Sequence, residues 1–151
     1  MKSAKLLIIY GLILSLFVAC SKDVVAPQAV QTADLTTRKG VIVKTGVISG
    51  RQGETASGTV YVKKDEKGFY VEFSADFKVQ DGPDLRVYLS AVEEGSGVAA
   101  QAELAAFKGS GASIYDILPT FVAKESDLAK YSFVVVHCKK YTHTFAAAKL
   151  Q

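Results

Sequence analysis

Cysteine and histidine are scarce in this chain, two of each, and Trp is absent, so the residues able to do redox or metal chemistry are few. They are Cys20, Cys138, His137 and His143, together with seven tyrosines. Two imidazoles and one thiolate are the core of a blue-copper site. His137 and Cys138, however, are neighbours on an expected strand, so their side chains point to opposite faces. Met1 is the only methionine, and no axial thioether is left once an N-terminal segment is removed. Cys138 with His143 is the better pair, because a hairpin loop over Lys139–Thr142 would place them opposite one another. Val134, Val136 and Cys138 share a face, and Lys139 and Lys140 follow at once. The expectation is a thiol at the wet, positive rim of a core, where it ionises readily. His143 would share its proton or complete a ligand pair, and His137 is the second candidate helper. The alternative for Cys138 is plain packing, since a free thiol behaves as a small apolar group. No Gly-x-Ser-x-Gly elbow, phosphate-binding glycine loop or His-Glu-x-x-His pair occurs, and a c-type haem lacks its Cys-x-x-Cys-His. The chain is therefore not expected to be an enzyme.

Cys20 has a different setting. Met1–Lys5 carry two lysines, and Leu6–Ala19 is an apolar run too short to span a bilayer. A basic start, an apolar middle and a small residue before the cut describe a secretory signal. Val18-Ala19-Cys20 resembles a bacterial lipobox, with Phe17 where Leu is usual. Residues 1–19 are then a signal peptide, Cys20 is the lipidated residue, and residues 20–37 form a tether spanning on the order of 20–25 Å. The membrane, reached through the lipid, is the expected partner, in the outer membrane of a diderm envelope because Ser21 rather than Asp follows Cys20. Cleavage leaves 151 − 19 = 132 residues, enough for one domain with a core. It also removes Lys2 and Lys5, leaving 18 − 2 = 16 basic side chains against 15 acidic ones. A nearly neutral chain without a basic, aromatic-interleaved stripe is not expected to bind nucleic acid. With Cys20 lipidated, Cys138 is the sole free thiol, and no internal disulfide can form.

The elements that must position Cys138 read as β. Val41–Ile48 is rich in branched residues. Gly58–Lys63 and Phe69–Ser74 alternate around an Asp65–Gly68 turn, a hairpin pattern. Gly82-Pro83-Asp84 is a strong turn signal, in which Pro fixes φ and Asp bonds its own backbone. Leu85–Ser90, Ala102–Phe107, Ser113–Ile117, Tyr131–Cys138 and Tyr141–Leu150 read as further strands, and Lys124–Ala129 as one helical turn. The fold expected for residues 38–151 is a single all-β antiparallel β-sandwich, barrel-like in form. Asp84 has a second reading, as a ligand or proton partner. Tyr88, Tyr115, Tyr131 and Tyr141 read either as electron relays around the cysteine or as filler of half-buried sheet faces.

Several of these segments occur together in a known order. Gly82-Pro83-Asp84-Leu85, Val87-Tyr88-Leu89-Ser90, Gly109-Ser110-Gly111 with Tyr115 and Pro119, and Tyr131-Ser132-Phe133-Val134-Val135-Val136-His137-Cys138 precede Phe145, Ala148 and Leu150. Over Gly40–Leu150 this resembles the electron-transfer DM-thirteen (DM13) domain, a small extracytoplasmic β domain of bacterial lipoproteins and animal surface proteins. The resemblance implies redox or electron transfer through one cysteine, which by motif is Cys138; His137 stands where an aromatic is common. It implies an accessory role beside a redox partner protein of the envelope and leaves open whether a metal or small cofactor joins Cys138. The competing reading is a ligand- or protein-binding adhesion module in which Cys138 is structural.

Overall fold

The computed structural model describes residues 38–151, so Cys20, the signal and the tether lie outside the described residues. The branched, alternating segments pair as expected. Strands β1 (Val41–Gly50), β3 (Thr59–Asp65) and β4 (Gly68–Phe73) are followed by β6 (Leu85–Ser90), β7 (Ala102–Ala106), β8 (Ser113–Asp116), β9 (Phe133–Cys138) and β10 (His143–Lys149). They form one eight-stranded sheet in the order β7-β6-β9-β10-β1-β3-β4-β8. Every neighbouring pair is antiparallel. β2 (Ala56–Ser57) and β5 (Lys78–Val79) make a separate two-stranded ribbon. The fold is thus all-β and antiparallel, as expected, and the sheet curls into a nearly closed, barrel-like form.

Curling follows from the pattern. Val60 and Val62 are fully buried while Tyr61 and Lys63 face outward, and Val87 and Leu89 repeat the alternation on β6. The inward row gathers Val71, Phe73, Phe77, Tyr115, Val134, Val136 and Cys138 into one core. A Cβ on Gly46 would lie 2.6 Å from the Lys149 carbonyl, so glycine lets β1 bend from β3 onto β10. At the seam between β7 and β8, the Lys108 backbone N–H donates to Tyr115 Oη at 3.0 Å and Lys108 Nζ to the Ile114 carbonyl at 3.0 Å. On the outer face a short helix, α1 (Ser96–Ala99), brings Val98 over Tyr88, Val135 and Ala147. The helical turn expected near Lys124 is a 3-10 helix, Glu125–Lys130, begun by Asp127 Oδ2 accepting the Lys124 N–H at 3.1 Å.

The barrel has two rims. Gly50 pairs with Ala146 of β10, and Arg51, just beyond it, bonds the Phe145 carbonyl, while Val41 pairs with Lys64 at the end of β3. One rim therefore carries the ends of β1 and β9 and the starts of β6 and β10. The other carries the start of β1, the β3–β4 turn and the end of β8, and there Arg38 Nε donates to Asp65 Oδ2 at 2.6 Å and Nη1 to Asp116. The Arg38 guanidinium stacks 3.9 Å from the Tyr70 ring centre, with only 8% of the side chain exposed.

Candidate functional site

Cys138 ends β9 at the first rim, directly between Leu85 of β6 and His143 of β10 in the sheet register. Lys139–Thr142 makes the tight connection that produces this pairing, with Thr142 at a φ of 52°. The three side chains lie on the inward face. His137 lies on the other face, beside Thr144 in register, and its Nδ1 is 3.0 Å from Thr144 Oγ1. The two helper candidates are therefore separated by the sheet, and only His143 shares a face with the thiol.

The thiol is not at a wet rim. Cys138 is 0% exposed and belongs to the main core. The expected cation beside it is also turned away, since Lys139 Nζ binds Glu103 Oε2 at 2.9 Å on β7. The reason is the plug above it. A β-bulge between Thr144 and Ala146 inserts Phe145 as an extra residue and sets its ring against His143, centroids 5.2 Å apart at 87°. Gly82 then packs so closely that a Cβ there would lie 2.8 Å from both Phe145 Cζ and Leu85 Cδ2. The Gly82-Pro83-Asp84 turn thus seals the end of the barrel over Cys138, and the Lys139 N–H donates to the Asp84 carbonyl at 3.0 Å. Asp84 is engaged by Arg86, whose Nε donates to Oδ1 at 2.8 Å, which leaves the ligand reading without support. Beside the turn lies a cleft of ≈ 370 Å³ lined by Asp81–Leu85 and Ala106–Gly109.

His143 Nε2 hydrogen-bonds Glu54 Oε1 at 2.9 Å. Glu54 closes a tight turn whose Gln52 adopts a φ of 51°, and Gln52 Oε1 accepts the Thr144 N–H at 2.5 Å. Gln52 and Glu54 were not anticipated from sequence, although Gln52-Gly53 ahead of a β segment is a hairpin-turn signal. On the outer face Tyr88 Oη donates to Glu103 Oε2 at 3.1 Å, and burial first, then the Glu103 charge, raises the Tyr88 pKa above the usual tyrosine range. His137 meets the Tyr88 ring edge-on at 5.9 Å, and its Nε2 finds no partner among the described residues. Burial, then His143, lowers its pKa below the ordinary histidine value. The four tyrosines do not surround the cysteine. Tyr88 is on the other face, Tyr115 is on β8, Tyr131 precedes β9, and Tyr141 is exposed in the hairpin turn.

Among the described residues, no three His, Cys, Asp or Glu side chains converge to hold a metal ion. At Cys138 the donor set is the thiol and one imidazole, walled by Leu85 and Phe145, which does not fit a closed metal site.

A barrel of this order, with the glycine turn closing over a cysteine at the end of β9, defines a small all-β domain. Residues 48–150 match the family model Electron transfer DM13, and the chain belongs to that family. Membership supports a redox or electron-transfer role for the domain. No curated protein and no solved structure matches the chain significantly.

Proposed function

We propose that this protein is an envelope lipoprotein, anchored through Cys20, whose DM13 domain passes electrons to or from a redox partner protein through Cys138. It works as an accessory module without catalytic turnover of its own. One observation carries the reading. Two segments far apart in sequence, Gly82–Leu85 and the end of β9, meet at the thiol through the Leu85–Cys138 register pair and the Lys139–Asp84 hydrogen bond. A sealed sulfur is closed to attack by a partner thiolate, because thiol–disulfide exchange needs access. Electron transfer does not need the sulfur to touch its partner, so burial favours it over covalent exchange.

The test is electrochemistry on native full-length protein beside Cys138→Ala. A redox response present in the wild type and lost in the variant, with the far-UV spectrum unchanged, is the expected result. An identical response in both removes Cys138 from the role. Labelled palmitate should enter the wild type and not Cys20→Ser, and equal labelling refutes the anchor. A second reading rests on the same burial. Cys138 packs as an apolar residue and the domain binds a ligand or protein, in which case neither protein gives a redox response.

A further inference from the structure

The rim opposite Cys138 has a character of its own. Among the described residues, six large apolar side chains are exposed, and three of them sit there: Val41 (74%), Ile42 (52%) and Leu118 (56%). The placement follows from register, since Val41 pairs with Lys64 and Ile42 with Lys63, while Ile117, next to Leu118, bonds the Phe69 carbonyl at the start of β4. Lys39, Lys64 and Lys67 are exposed among them. Of the acids of this rim, Asp65 and Asp116 are held by Arg38 and Asp127 by Lys130, while Glu66 and Glu125 are exposed without an ion pair among the described residues. The rim is also where the chain enters the domain, with 37 residues preceding Arg38. Arg38 is clamped, so the entry point is fixed on the barrel.

We propose that this rim lies on the surface of an anionic bilayer, with Val41, Ile42 and Leu118 at the interface and Lys39, Lys64 and Lys67 over the headgroups. Apolar side chains ringed by lysines are the pattern of a surface that rests on charged lipid. The inference rests on the lipid anchor proposed above and adds what the anchor alone does not give, an orientation. β1 runs between the rims and, at about 3.3 Å per residue over its ten residues, sets Cys138 on the order of 30 Å from the bilayer. The partner then meets Cys138 from the aqueous side, and a carrier dissolved in the lipid is out of reach.

The experiment uses full-length lipidated protein in vesicles of phosphatidylcholine and phosphatidylglycerol, with a fluorophore at Glu66→Cys, exposed in the β3–β4 turn, or, separately, at Tyr141→Cys. A quencher attached to the lipid should quench the first label several-fold more than the second. The difference should collapse in high salt and in the variant Lys39→Glu/Lys64→Glu. Stronger or equal quenching at Tyr141→Cys overturns the orientation while the protein still floats with the vesicles. Failure to float, scored with palmitate on the same sample, overturns the anchor and the docking together.

Discussion

Cys138 and His137 are adjacent in sequence and live in different environments, and their separation decides what each can do. Cys138 faces the main core and His137 a smaller cluster under α1. His137 is fully buried and its pKa is lowered, so the folded state favours the neutral ring. The unfolded chain binds a proton near the ordinary histidine value, about 6.5, before the folded one does. The stabilisation is therefore complete above that pH and is lost as pH falls through the lower folded value. The stability advantage of wild type over His137→Gln, measured by urea unfolding at a series of pH values, should shrink from neutral pH downward. An advantage that is constant with pH would show that the ring titrates alike in both states.

At the scale of elements, the rim is a set of turns whose strain is matched by side-chain contacts. Gly82 is required by closeness alone, since it touches Leu85 and Phe145 where a methyl group has no room. Gly82→Ala should cost about 1–3 kcal/mol by overpacking, read from chemical denaturation, and should open Cys138 to alkylation. A variant of unchanged stability would mean that the turn swings away freely. The strands themselves were legible from Val41–Ile48, from the Thr59–Phe73 hairpin and from the apolar run before Cys138, because a branched, alternating pattern is a local property. The Cys138–His143 pairing was legible for the same reason, since a short loop sets its register. What stayed hidden depends on distant contacts. The thiol's burial follows from a turn more than 50 residues upstream and from the Phe145 bulge, neither of which periodicity reveals. The Arg38 clamp joins three elements around a residue that reads as the end of a linker.

At the scale of the molecule, the described residues carry a core, a closed seam and their own ionic clamp. A chain beginning at residue 38 should therefore be soluble and give a strand-type far-UV spectrum. A helix-dominated or disordered spectrum would place essential contacts in the preceding residues. β1 lies between β3 and the last strand, with Ile48 opposite Ala148 and Thr45 bonded to Gln151. The first strand waits for the last before the barrel can close. Pairing across 148 − 48 = 100 residues places this domain among slow folders, whose long loops must be closed before they are rewarded. If the chain is exported as proposed above, its topology would hold it open while it emerges from the secretion channel and keep it threadable until its C-terminus is free. Deleting residues 143–151 should make that arrested state permanent: β1 and β9 would each present an unpaired edge, and the product should aggregate on export instead of accumulating as a folded, shorter barrel.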